Sequence, residues 1–281
     1  MKLAISGQAL GEIHNLEEIL ILLNKLGVKW IEIWPVNLKK GLSETNNLEE
    51  EKRLLENYNI KVACVSVPDA FSPENIKNPK KYQTVFKNAI DIAVELKSTI
   101  VNSYFACFND YPLDYYIETI KPVIEYARKN KVILVLENEA HDITSKAEGM
   151  LKVLKAVNSD NFRTNFDACN YYHGGDEGFP NAYNVLKDYI SYVHIKNGSV
   201  FNPKFHSKEK KKSKFGKPLD DKFIFYPPIP EGAVNIEGLL KRLKEDHYEG
   251  FCTLEPHTVS SKLEDYYKIE VGYMRSHEVY E

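Results

Sequence analysis

The sequence has no Cys-x-x-Cys pair, no long apolar run, no dominant charge sign, and no Gly-, Ser- or Pro-rich stretch that would divide it. Each absence removes a class of protein. The four cysteines, Cys64, Cys107, Cys169 and Cys252, lie far apart, each in or beside an apolar run. They read as reduced structural thiols, not as a disulfide framework or a thiolate metal site. No run approaches the roughly 18 apolar residues that a membrane-spanning helix needs, so no membrane partner is expected. The opening Met1-Lys2-Leu3-Ala4-Ile5-Ser6 lacks the apolar stretch of a signal peptide, and a cytoplasmic protein is expected. A formal net charge of −3 over 281 residues gives no sign of a nucleic-acid binder or an acidic tail. The turn after the first strand-like run has no Gly-x-Gly-x-x-Gly, which argues against a dinucleotide fold. With no internal linker, residues 1–281 are expected to form a single domain, a length within reach of one α/β barrel.

What is there is an alternation of short β-rich runs and amphipathic helical stretches. The strand-like runs cover residues 2–6, 30–34, 62–67, 99–105, 132–137, 162–167, 191–196 and 250–255. Most are nearly continuous apolar runs, Val132-Ile133-Leu134-Val135-Leu136 being the plainest, as parallel strands under helices require. Between them apolar residues recur every three to four positions. Leu16, Ile19, Leu20, Leu23 and Leu26 do so, as do Ile117, Ile120, Ile124 and Ala127, and Ile236, Leu239, Leu240 and Leu243. Helix starts are signalled by Asn15 before Glu18, Ser145 before Glu148, Ser261 before Glu264, and Asn78-Pro79, with Gly27 as a left-handed stop. Eight strand–helix repeats without a phosphate fingerprint predict a closed (β/α)8 TIM barrel over an open doubly wound sheet. One segment breaks the rhythm: a connection of about 197–235, with seven lysines between Lys204 and Lys217. Loops of that length are functional or disordered. This one reads as a solvated loop, or as a lid over an anionic substrate.

Polar residues gather at the ends of the last four runs, in Glu137-Asn138-Glu139, Asp167-Ala168-Cys169-Asn170, His194-Ile195-Lys196 and Glu255-Pro256-His257. Side chains at the C-terminal strand ends of a barrel converge on its axis, which would bring Glu137, Asp167, His194 and Glu255 within coordination distance. Singly, each has an ordinary reading: a strand-end glutamate caps a helix or pairs with a lysine, and a histidine can be a satisfied core residue. Four in register on consecutive strands resist that explanation, because three buried carboxylates repel one another without a cation. Three oxygens and one imidazole suit a single, fairly hard divalent ion, Mn²⁺ first, then Mg²⁺ or Co²⁺, with Zn²⁺ behind. Lys196, two residues after His194, faces the same way. It would bind a hydroxyl, carboxylate or phosphate, or pair with a neighbouring acid. Glu139, His141 and His257 lie just beyond the strand ends.

The ordered set Leu136-Glu137-Asn138, Phe166-Asp167-Ala168-Cys169-Asn170, His194-Ile195-Lys196 and Leu254-Glu255-Pro256-His257 resembles the xylose isomerase-like barrel superfamily, the sugar phosphate isomerase/epimerase group. Pro230-Glu231-Gly232-Ala233-Val234-Asn235 resembles its turn before the penultimate helix. The resemblance implies that Glu137, Asp167, His194 and Glu255 hold the metal, and that Glu137 and Glu255 are also the catalytic acid/base pair. It sets Asn170 against substrate oxygens and Glu32 near the mouth. The expected substrate-binding residues are thus Asn170, Lys196, His257, Glu32 and Trp34, the last as an apolar wall or simply as core. The implied activity is metal-dependent isomerisation or epimerisation of a small sugar, sugar phosphate or polyol ketone. Its chemistry would be proton abstraction next to a carbonyl, through an enediolate. An inosose-type dehydratase, which expels a β-hydroxyl after the same abstraction, is the alternative. The ketose 3-epimerase pattern has an Arg in the connection after the histidine ligand, and residues 197–235 contain none. Apurinic endonucleases on the same scaffold need extra histidines. The strand ends Val65-Ser66-Val67-Pro68 and Val101-Asn102-Ser103-Tyr104 have none, and position 170 is Asn, so no nucleic-acid partner is expected. A small carbohydrate is the expected partner, and the habit of relatives implies a homo-oligomer.

Overall fold

The computed structural model describes residues 1–43, 47–68, 72–201 and 223–280. The strands are β1 Lys2–Ser6, β2 Trp30–Ile33, β3 Lys61–Ser66, β4 Ile100–Tyr104, β5 Ile133–Glu137, β6 Phe162–Asp167, β7 Ile190–Ile195, β8 Ser199–Phe201, β9 Phe223–Phe225 and β10 Phe251–Leu254. All but β8 and β9 pair in one closed parallel barrel, in the order β1-β10-β7-β6-β5-β4-β3-β2. The expected (β/α)8 barrel is the fold, and each expected barrel strand agrees with the observed one to within a residue at either end.

The barrel closes because both faces of each strand have somewhere dry to go. Side chains alternate along a strand, so Leu134 and Leu136 of β5 point outward into the large core shared with the helices. Val135, between them, turns inward to a smaller cluster with Ala4, Ala63, Cys64, Ile100, Tyr192 and Phe251. Trp30 packs beneath that cluster, with the ammonium groups of Lys2 and Lys61 5.7 and 5.3 Å from its ring. The N-terminal end of the bore is therefore an apolar plug, and polar side chains are left for the other end. Each fully buried aliphatic side chain in these layers is worth about 1.5–3 kcal/mol.

Helices form where the spacing predicts. Leu16–Leu26 buries Ile19, Leu20 and Leu23. Its start is a reciprocal cap: Glu18 N–H donates to Asn15 Oδ1 and Asn15 N–H to Glu18 Oε2, both at 3.0 Å. Gly27 ends it at φ 70°, a left-handed conformation that glycine adopts without a Cβ penalty. Asn78 caps Pro79–Glu95 by accepting from Lys81 N–H at 3.2 Å. Ser145 and Ser261 do not cap. They lie in the short turns Ile143–Ser145 and Ser260–Lys262, and the helices Ala147–Val157 and Leu263–Ser276 start two residues later. Ahead of the first of these turns the acceptor is Asp142, whose carboxylate takes the N–H groups of Thr144 and Ala106.

The long connection after β7 has more order at its flanks than its composition suggests. β8 and β9 pair antiparallel, Val200 opposite Ile224. Asn197 then pins the return of the chain, donating to the carbonyls of Ile229 and Val234 at 2.8 and 3.1 Å and accepting from the N–H groups of Gly198 and Val234 at 2.7 and 2.9 Å. Gly232 is required beside it, since a Cβ there would fall 2.0 Å from Asn197 Cγ. The lysine-rich stretch itself lies outside the described residues, as does the Cys107 side chain. The thiols of Cys64, Cys169 and Cys252 are free and buried. Among the described residues no helix is long and apolar enough to cross a membrane.

Candidate metal centre

β5, β6, β7 and β10 stand side by side in the ring. Their registers set Glu137 beside Asn165, Asp167 beside His194, and His194 beside Thr253, so inward-facing polar residues of adjacent strands meet at this end of the bore. Glu255 directly follows β10. Glu137, Asp167, His194 and Glu255 each present one ligand atom, all within 4.8 Å of one another, and all four side chains are buried.

The surroundings hold each of them in place. Glu137 Oε2 accepts from the amides of Asn102 and Asn165 at 2.9 and 3.2 Å, leaving Oε1 toward His194 Nδ1 at 3.0 Å. Asp167 Oδ1 caps the helix Ala168–His173, accepting the N–H groups of Cys169 and Asn170 at 2.8 and 2.9 Å. Its Oδ2 is buried without a hydrogen bond; Lys196 Nζ is 2.6 Å away as an ion pair, outside hydrogen-bond geometry. The same ammonium lies 2.6 Å from Glu255 Oε2. Burial disfavours every charge here, and the neighbours decide who keeps one. Lys196 and His194 overcome burial to hold Glu255 well below the usual carboxylate range. Burial is likewise outweighed at His194 by Glu137, Glu32 and Glu255, and at Lys196 by Asp167 and Glu255, so both are pushed up. With the acids ionised and His194 neutral, as a metal ligand must be, four carboxylates (Glu32, Glu137, Asp167, Glu255) meet one cation, Lys196. That imbalance, the unsatisfied Asp167 oxygen and the hard donor set fit one divalent cation.

Of the expected substrate-binding residues, four line the cavity at this end of the barrel: Trp34, Asn170, Lys196 and His257. Lys196 also makes the acid pair that its position allowed. Asn170 spends its amide on Asn138 O at 2.9 Å and Glu137 Oε1 at 3.3 Å, so it braces Glu137 as well as facing the cavity. His257 Nε2 is 3.3 Å from Glu255 Oε2. Trp34 is buried, its ring 6.1 Å from Tyr104. Glu139 and His141 are on the wall too. Glu32, expected among the substrate-binding residues, is fully buried and outside the cavity lining, with His194 Nε2 2.7 Å from its carboxylate.

Sequence reasoning missed two sets of residues. Tyr104, His173 and Tyr226 are also on the wall; burial first, then Lys196, lowers the His173 pKa to about 4, so this imidazole is neutral. Beneath the centre, Ser66, Asn102, Asn165, Tyr192 and Thr253 are buried polar residues of the bore. A signal existed for three of them. Asn165, Tyr192 and Thr253 each lie two residues before a residue of the cluster, the period at which side chains along a strand return to the same face.

Residues 20–277 match a family model described as a xylose isomerase-like TIM barrel. A comparison with curated proteins finds no match. Among solved structures, the chain resembles a probable 3-DHS dehydratase, AsbF, involved in petrobactin synthesis, from Bacillus anthracis, with 17% identity, a TM-score of 0.74, and 98% of this chain and 99% of that one covered. It also resembles a xylose isomerase-like TIM barrel protein from Mycobacterium smegmatis in complex with magnesium, at 21% identity and TM-score 0.72, covering 93% and 87%. A D-allulose 3-epimerase from Methylomonas sp. gives 16%, 0.69, and 99% and 98% coverage. At these identities the structural likeness is one of fold.

Proposed function

The chain belongs to the xylose isomerase-like TIM barrel family, and from that premise we propose that it is a divalent-metal-dependent isomerase or epimerase of a small sugar, sugar phosphate or polyol ketone. One observation carries the reading: Glu137 and Glu255 share a buried ligand cluster, and both open onto the same cavity. β5 and β10 are separated by two strands of the eight-stranded ring, which supports a reading in which the two carboxylates would reach a substrate from different sides.

Glu137, Asp167, His194 and Glu255 would hold the ion, Mn²⁺ first, with Mg²⁺, Co²⁺ and Zn²⁺ as alternatives. Once bound, it supplies Lewis acidity that makes the C–H next to a substrate carbonyl more acidic. One glutamate takes that proton and an enediolate results. The other returns a proton to the opposite face, giving the epimer, or to the adjacent carbon, giving the isomer. Lys196 and His257, on the wall, orient substrate oxygens, and Trp34 and Tyr104 give an apolar side against which a sugar ring or chain can lie.

A dehydratase is the second reading. Two observations support it: His257 Nε2, on the cavity wall 3.3 Å from Glu255 Oε2, would be the group that hands a proton to a departing β-hydroxyl, and the Bacillus anthracis structure is described as a probable dehydratase. Incubation with Mn²⁺ and candidate ketoses in heavy water tests both. Deuterium should enter the carbon beside the carbonyl, with the formula otherwise unchanged for isomerisation or epimerisation, and with loss of water for dehydration. Glu137→Gln and Glu255→Gln should each suppress exchange by orders of magnitude. Turnover surviving both substitutions would overturn the two-carboxylate mechanism.

A further inference from the structure

The acid on β2 is aimed away from any substrate. Glu32 is fully buried, and its carboxylate reaches across the bore from β2 to β7, strands with β1 and β10 between them in the ring. Its Oε2 lies 2.7 Å from His194 Nε2 and accepts from the Tyr192 hydroxyl at 3.2 Å, while Oε1 accepts from the Ser66 hydroxyl at 2.5 Å. Tyr192 is itself held by Thr253 Oγ1 at 2.6 Å. Donors thus converge on both oxygens and fix the carboxylate in one orientation.

His194 is the group this arrangement acts on. Its other nitrogen, Nδ1, faces Glu137 Oε1 at 3.0 Å and Glu255 Oε2 at 3.6 Å, both oxygens of the ligand cluster. A neutral imidazole has one N–H and one lone pair, and only the lone pair can ligate a metal. With a carboxylate fixed at Nε2, the proton belongs there and the lone pair is on Nδ1, pointing at the cluster. We infer that Glu32 is the positioning residue of the metal centre, holding His194 with its Nε2–H on Glu32 and its Nδ1 lone pair toward Glu137, Asp167 and Glu255. The same network continues to a second ligand, since Asn102 Nδ2 donates to Ser66 Oγ at 3.2 Å and to Glu137 Oε2 at 2.9 Å. The inference rests on the metal reading above and assigns a task that no ligand performs.

Binding of Mn²⁺ alone, followed by the loss of the free-ion electron spin resonance signal, tests it without any substrate. Glu32→Gln keeps the shape and one acceptor, and should weaken Mn²⁺ binding about tenfold; Glu32→Ala should weaken it about a hundredfold, the range seen when a ligating histidine loses its outer partner. Nitrogen-15 NMR of the wild-type protein loaded with diamagnetic Zn²⁺ gives a readout that does not depend on a variant folding. His194 should carry its proton on Nε2 and the ion on Nδ1. Metal on Nε2, or Glu32→Gln binding Mn²⁺ as tightly as wild type, would overturn the role of Glu32. Wild type binding no divalent ion would instead overturn the metal centre, and this inference with it.

Discussion

Lys196 Nζ stands 2.6 Å from Glu255 Oε2 and 2.6 Å from Asp167 Oδ2, so one ammonium bridges two of the four residues of the cluster. All three side chains are nearly inaccessible to water, which makes the bridge a condition of keeping both acids charged in the barrel mouth. Lys196→Met removes it and leaves the acids facing each other. The variant should lose about 3–5 kcal/mol of stability in the presence of a chelator, as when one partner of a buried ion pair is deleted. Added Mn²⁺ should recover much of that loss, giving a larger rise in Tm than in wild type. Equal melting of the two proteins in chelator would show the bridge to be dispensable.

Asp167 divides its two oxygens between two tasks, and substitutions can separate them. Oδ1 caps the helix Ala168–His173 through two backbone N–H groups, which leaves Oδ2, 2.6 Å from Lys196 Nζ, as the oxygen free to ligate. Asp167→Asn keeps an acceptor for the cap, whereas Asp167→Ala keeps neither. Both should lose most metal affinity, with the alanine variant less stable by about 1 kcal/mol, the usual worth of an N-cap. Denaturant unfolding in chelator measures the difference. If Ala and Asn are equally stable, the cap contributes nothing.

The barrel was legible because its signals are local. Hydrophobic runs such as Val132–Leu136 and the caps at Asn15, Gly27 and Asn78 need nothing beyond a few neighbours in the chain. The four residues of the cluster were legible for a related reason, three being the last inward position of a strand whose ends are easy to find and Glu255 the residue just past one. Glu32 was not, because a strand-end carboxylate looks the same whether it meets solvent or spans the bore. Only the ring order and the stagger between β2 and β7 decide which. Ser66 and Asn102 were passed over as polar residues in otherwise apolar strands, and their meaning lies in what they hold: Glu32 and Glu137. Tyr226 and His173 come from segments beyond strands, where spacing has no fixed relation to position in space. Ser145 and Ser261 failed as caps because the turns they belong to end before the helices start.

Asn197 sits directly after the segment that carries His194 and Lys196, and makes four hydrogen bonds with the returning chain. Gly232 allows the close approach. Gly232→Ala should cost about 1–3 kcal/mol through overpacking against a side chain that cannot turn away without losing those bonds. The loop so disturbed supplies Tyr226 to the cavity wall, so KM for an accepted substrate should rise more than kcat falls. A loss confined to kcat would mean that the wall is untouched and the catalytic centre has moved instead.

Glu270 predicts a pH dependence of stability that is independent of the metal centre. It lies on the helix Leu263–Ser276, almost fully buried, with Oε2 lacking a hydrogen-bond partner among the described residues. Burial pushes its pKa up to about 8, opposed only by the backbone N–H of Ile229. A carboxyl whose folded value exceeds its unfolded value of about 4.5 stays protonated in the native protein after it has ionised in the unfolded chain. Between those values the unfolded state binds fewer protons, so stability falls as pH rises, and the fall ends above about pH 8 when the native state ionises too. Glu270→Gln cannot ionise and can still accept from Ile229. The variant should therefore match wild type near pH 4 and exceed it by a margin that widens toward pH 8, then stays constant. Urea unfolding of both proteins across this range isolates the effect, since every other titrating group is common to the two. A difference between them that does not change with pH would mean that Glu270 is ionised throughout, its charge met by the Ile229 amide and water.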